Sequence, residues 1–237
     1  SRAVFQSETV RLRVLPERQF HELLAGLASQ AASAASSEPA DAARLAKAER
    51  LFASGSYELA LSEYLKLYRE GDPLLNDRLA TIYAETNEPQ AAVKYFEKNV
   101  AAPAPYAEKA VVGLIRAGIS LGSSEVISEY LDELLAVRSQ PIERELLALA
   151  LFYREGRRYP LAYDLLQECL SRYPQGARRD SALFQLAQLY ELDSPLRDLR
   201  LAREYYEKLY KEFPESAHAE QARSRIQYLD RYFFHVQ

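Results

Sequence analysis

Residues 149–174 read LALFYREGRRYPLAYDLLQECLSRYP, and this stretch decides the fold. Leu149, Ala150 and Tyr153 recur at helical spacing, and Gly156 interrupts them. A second apolar series follows at Tyr159, Ala162, Leu166 and Cys169, and Pro174 ends it. Spacings of three and four on both sides of a glycine describe two amphipathic helices joined by a tight turn. The small residues Ala150 and Ala162 fall where such helices approach each other most closely.

Working outward, the same series returns along the chain. A first copy carries Gly55-Ser56-Tyr57-Glu58-Leu59-Ala60, then Tyr64 and Leu67, and Pro73 follows it. The second runs through Leu79, Ala80, Tyr83, Asn87, Ala92 and Phe96. The third is degenerate, with Val111, Leu114, Ile115, Gly122, Ile127, Leu131 and Leu134. The fifth has Leu186, Ala187, Tyr190, Ala202, Tyr206, Leu209 and Pro214. Equivalent positions Ala60, Ala92, Ile127, Ala162 and Ala202 are separated by 32, 35, 35 and 40 residues. Such a period marks a stacked repeat in which each unit buries its apolar face against the next. In this reading Tyr64, Phe96, Leu131, Leu166 and Tyr206 fill the space between repeats. Gly55 and Asn87 occupy turn positions suited to positive φ. Bulky Ile115 and Ile127 predict looser packing in the third repeat, and Glu191 to Leu199 predict a lengthened turn in the fifth.

These landmarks resemble the tetratricopeptide repeat, a helix–turn–helix unit of about 34 residues. The resemblance implies an all-α, right-handed superhelical solenoid of about five repeats with terminal capping helices. Repeats are expected near 41–72, 73–107, 108–142, 143–176 and 180–215, within a solenoid spanning 41–214. Residues 215–237 form a C-terminal capping helix with Ala219, Ala222, Ile226 and Leu229 on one face. Phe213, Pro214, Ser216, Ala219, Ala222, Arg225, Ile226 and Leu229 are also similar to a motif of bacterial envelope proteins. That motif occurs in outer-membrane assembly lipoproteins and Tol–Pal-associated periplasmic proteins.

Residues 1–40 fall outside the repeat. Val10, Leu12 and Val14 alternate like a strand, then Phe20, Leu23, Leu24 and Leu27 recur as a helix. Two readings stand: a helix that caps the first repeat, or an arm that pairs with a partner or fills the groove. An Ala/Ser-rich linker follows, from Ser29 to Ala40.

Composition supports the fold and trims the functions. The chain of 237 residues has 30 Lys+Arg against 34 Asp+Glu, a balance without the basic excess of a nucleic-acid binder. Only 8 glycines are present and no GxGxxG or GxxxxGK[ST] loop, so no nucleotide cofactor is implied. One cysteine excludes an internal disulfide, and its repeat position makes Cys169 a packing residue rather than a nucleophile. His21, His218 and His235 are scattered and share no metal-binding or catalytic motif. The reading is therefore not an enzyme, with no catalytic, metal or cofactor residues. No apolar run is long enough to cross a membrane. The sequence starts at Ser1 without any methionine, which is compatible with a removed secretory signal or a lipid anchor upstream.

What remains is the concave face. The resemblance implies that the first helix of each repeat lines it at fixed positions. Carried over, these are Leu45, Glu49 and Phe52, then Leu74, Asp77, Thr81 and Glu85. The third repeat gives Lys109, Val112, Arg116 and Ile119, and the fourth Arg144, Leu147, Leu151 and Arg154. The fifth gives Phe184, Gln188 and Glu191. Apolar floor and mid-groove basic charge suit a peptide or an amphipathic helix of a partner protein. Phe52, Leu147, Leu151 and Phe184 are the expected anchors, with Arg116, Arg144 and Arg154 as orienting groups. The Lys-and-two-Asn clamp of chaperone co-receptors has no counterpart here. The expected task is a protein-interaction scaffold in bacterial envelope assembly, in the periplasm or anchored to the outer membrane. The rivals are a periplasmic ligand-binding or transporter-associated protein and a cytoplasmic adaptor.

Overall fold

The computed structural model describes residues 39–234, all helical apart from the connections. The expected strand at 10–14 and helix at 17–30 lie outside them. The described residues fall in two compact units, one ending at Leu67 and the next beginning at Tyr68.

The first unit holds α1 (39–53) and α2 (Tyr57–Leu67). The turn between them passes through Gly55 at φ 73°, as its position required. Tyr64, fully buried, reaches back across the hairpin and donates to Glu49 Oε1 at 2.7 Å. Phe52 meets Tyr57 and Tyr64 edge-on, at 5.8 and 6.4 Å between centroids. On this hairpin Glu63 accepts from Lys47 and Lys66, and the Lys47 bond above all holds its carboxyl below the usual range.

The second unit stacks hairpins in chain order: α3 (Pro73–Glu85) with α4 (Pro89–Glu97), then α5 (Tyr106–Leu121) with α6 (Ser124–Ala136). Next come α7 (Glu143–Glu155) with α8 (Tyr159–Arg172) and α9 (Arg179–Glu191) with α10 (Leu199–Glu212). A single α11 (Ala219–Leu229) and a wide turn over Asp230–Phe234 close the series. Helix–turn–helix repeats are thus the architecture, as the landmarks implied. Asp72 and Asp198 cap α3 and α10 by accepting from two backbone N–H groups each. Pro89 and Pro160 stand in the first turns of α4 and α8, where their missing N–H costs nothing.

The small landmark residues are where close approach needs them. Ala80, Ala92, Ala150, Ala162, Ala187 and Ala202 are all buried. The bulk of Ile115 and Ile127 is accommodated rather than wedged apart. Both are fully buried, and Ile127 faces Gly118, whose missing side chain makes the room. Gly113 of α5 likewise faces the Phe96 ring.

A second device repeats down the stack, and composition alone did not disclose it. An acid in the first turn of α5, α7 and α9 receives the loop of the following repeat. Glu108 accepts from the backbone N–H and hydroxyl of Ser139. Glu143 accepts from Arg178 N–H at 2.9 Å, and Asp180 from the Ser216 hydroxyl at 2.5 Å. Each acid also complements the positive end of its helix dipole. The spacings of 31, 35 and 36 residues are the repeat period itself.

Candidate functional site

The odd-numbered helices α3, α5, α7 and α9 of the second unit pack one against the next, and α11 is tied to α9, so together they present one face. Three polar rungs join them. Arg116 of α5 donates through Nε (2.7 Å) and Nη2 (2.6 Å) to Glu145 Oε1 of α7. Arg154 of α7 donates at 2.6 Å to Gln188 Oε1 of α9. Arg225 of α11 makes a two-pronged ion pair with Glu191 of α9. The hydroxyl of buried Tyr206 adds a bond of 3.0 Å to Glu191 Oε2. Burial first and Glu191 second push the Tyr206 phenol well above its ordinary pKa. The same carboxylate raises the already high pKa of Arg225. Glu191 is therefore a hub that accepts from one guanidinium and one phenol. The pattern of Tyr206 on Glu191 repeats that of Tyr64 on Glu49, each 15 residues back.

Two clefts open between these rungs. A smaller one, about 230 Å³, lies between α5 and α7 and is lined by Arg116, Ile119, Ser120, Arg144, Glu145 and Ala148. A larger one, about 560 Å³, is bounded by Arg154, Gln188, Glu191, Tyr206, Gln221 and Arg225, with Leu192 and Asp193 at its edge. Between them Leu151 stands 36% exposed, in helical phase with Arg144 and Ala148.

The structure places the sequence-predicted groove residues in different settings. Arg116, Ile119 and Arg144 meet at the smaller cleft, and Arg154 lines the larger. Leu151 is an exposed apolar side chain on α7, between Ala148 of the smaller cleft and Arg154 of the larger along the helix. Val112, Leu147 and Phe184 are buried instead, so as packed core they offer no open surface. Phe184 is covered by His218, stacked on its ring at 4.5 Å, and by the edge of Tyr206 at 5.8 Å. Lys109 lies apart, its ammonium 5.9 Å from the Tyr106 ring. Leu45, Glu49 and Phe52 belong to the first unit and are engaged there as described, Leu45 partly exposed on α1. Asp77, in the second repeat, is buried and paired with Arg78.

Sequence reasoning left the α11 side of the face out of the groove. Gln221 and Arg225 of this helix line the larger cleft. Their spacing of four, in phase with the inner positions of α7 and α9, is the signal that α11 packs as the first helix of a further repeat. Cys169 is buried on α8. Its burial, with Glu143 and Glu168 nearby, pushes the thiol up to about 12, so thiolate chemistry is suppressed at neutral pH. No described helix is long and apolar enough to cross a membrane.

Residues 146–176 and 181–216 match the tetratricopeptide repeat family, and these spans coincide with the α7–α8 and α9–α10 hairpins. These two hairpins therefore match the tetratricopeptide repeat. Its fold is also similar to a solved structure from the functional characterization of Pseudomonas aeruginosa PilF. The TM-score is 0.58 at 16% identity, with 86% of this chain and 93% of that one covered. At that identity the likeness speaks for the fold. No curated protein matches the sequence.

Proposed function

We propose that the protein is an interaction scaffold whose inner face, from α5 to α11, seats a peptide or helix of a partner protein. The observation that carries this reading is Leu151, an exposed apolar side chain set between two clefts whose rims carry arginines. Apolar contact supplies the affinity, and the arginines set orientation and association rate. The rungs between α5, α7, α9 and α11 hold the face in shape beforehand, so the partner segment bears most of the ordering cost. Repeats of this family support such a role in general terms.

The test uses a random 12-residue peptide library selected on the protein, with binding of the selected peptides measured by fluorescence anisotropy. Leu151→Ala should weaken binding about tenfold, since truncating a buried anchor costs more than about 1 kcal/mol. Leu161→Ala, equally exposed but on α8, should not. Equal affinity for both variants, with folding intact by circular dichroism, refutes the inner-face assignment.

For the cellular setting we infer a bacterial envelope role, periplasmic or anchored to the outer membrane. The support is the tail from Phe213 to Leu229 and its similarity to envelope assembly proteins. Fractionation of cells making the protein from its natural gene tests this, with recovery in the cytoplasm alone as the contrary result.

A further inference from the structure

We propose that the α5–α7 cleft is a receptor for an aspartate or glutamate side chain of the partner peptide. This rests on the inner-face reading and names the chemistry that reading leaves open. Two guanidinium groups, Arg116 and Arg144, line the cleft against a single carboxylate. That carboxylate, Glu145, is only 2% exposed, and it is spent on Arg116, since a single oxygen takes both the Nε and Nη2 bonds. Arg116 itself is half exposed, so its remaining N–H groups face outward. Arg144 is exposed and has neither an ion pair nor a hydrogen bond among the described residues.

The cleft therefore carries one positive charge in excess at its mouth. Arg144 also stands in the first turn of α7, where a cation opposes the helix dipole. Its position detracts from helix stability, so its use lies outside the helix. A partner carboxylate between Arg144 and Arg116 would accept charge-assisted bonds from both, the geometry in which guanidinium groups are strongest. Ile119 and Ala148 form the apolar walls, which fits an acid followed by an aliphatic residue that continues toward Leu151. At about 230 Å³ the space suits one side chain rather than a helix.

The experiment selects peptides from a phage-displayed random 12-residue library on the wild-type protein and on Arg144→Glu in parallel. Display through the peptide C-terminus removes the chain-terminal carboxylate as a source. Wild-type protein should enrich peptides with Asp or Glu next to an aliphatic residue, and the variant should not. A selected peptide made synthetically, amidated, should bind wild-type protein about tenfold more tightly than its Asp→Asn or Glu→Gln counterpart. That preference should shrink with added salt and vanish on Arg144→Glu. Arg144→Ala should remove it as well, a check that needs no reversed charge.

Peptides that depend on Leu151 yet lack an acid, or that bind Arg144→Glu undiminished, overturn this inference and leave the inner-face reading standing. The absence of any Leu151-dependent peptide overturns both.

Discussion

Raising the pH should unfold this protein in part through one buried thiol. Cys169 is 1% exposed and its pKa is pushed up to about 12, from an ordinary value near 9.0. The folded pKa lies above the unfolded one, so the stabilisation is complete below pH 9 and is lost as pH rises toward 12. Over that window the unfolded chain releases a proton that the folded chain keeps, at about 1.4 kcal/mol per pH unit. Between pH 8 and pH 10 the thiol alone should cost on the order of 1 kcal/mol by the same relation. Tyr130, likewise pushed up to about 12, and the raised Tyr83 and Tyr153 add their own loss.

Cys169→Ala separates the thiol from the tyrosines. Urea unfolding under reducing conditions, at pH 8 and pH 10, gives four stabilities. The small cavity of the variant lowers both of its values alike and cancels in the difference. Wild-type protein should lose on the order of 1 kcal/mol more than the variant between the two pH values. Equal losses refute the reasoning, because they mean that the folded thiol ionises as freely as the unfolded one and that Cys169 is no core residue.

Three further outcomes follow from the packing. Gly113→Ala would place a methyl 2.3 Å from Phe96 Cζ, so it should destabilise despite a better helix propensity. Overpacking at about 1–3 kcal/mol outweighs the ~1 kcal/mol helical gain, and in a Phe96→Leu background the sign should reverse in urea unfolding. Arg157 sits at φ 58° in the α7–α8 turn, so Arg157→Gly should raise stability by about 0.5–1 kcal/mol, read from the urea midpoint. Tyr206→Phe should cost about 1 kcal/mol or more by removing the phenol's hydrogen bond to Glu191, and Glu191→Gln should reduce that cost when combined with it in a double-mutant cycle.

The repeat was legible because its landmarks are local. Ala150, Ala162, Tyr159 and Pro174 sit at fixed spacing within one hairpin, and helix packing demands small residues at the same places every time. The turn was legible to within one residue. Gly156 marks the turn in the sequence, and the residue after it, Arg157, takes the left-handed conformation, as Asn87 and Gly55 do in the earlier hairpins. The site was less legible, because exposure depends on residues a full repeat away. Phe184 holds an inner-face position, but His218 lies on it from 34 residues downstream, and no local pattern announces that cover. Leu147 and Val112 are buried as well. Arg116 and Arg154 were identified as groove cations, and both are also structural, tied to Glu145 and Gln188 of the next helix pair. Arg144 was identified for the same reason and is the one left without an ion pair or hydrogen bond among the described residues.

The most direct measurement of the central claim is site-specific photo-crosslinking. A benzophenone amino acid replaces Leu151 in one protein and Leu161 in another, two leucines of similar exposure on α7 and α8. A library-selected peptide is bound and irradiated, and the adduct is located by mass spectrometry. The account predicts crosslinking from position 151 and none from position 161. Crosslinking from 161 alone, or equally from both, contradicts it.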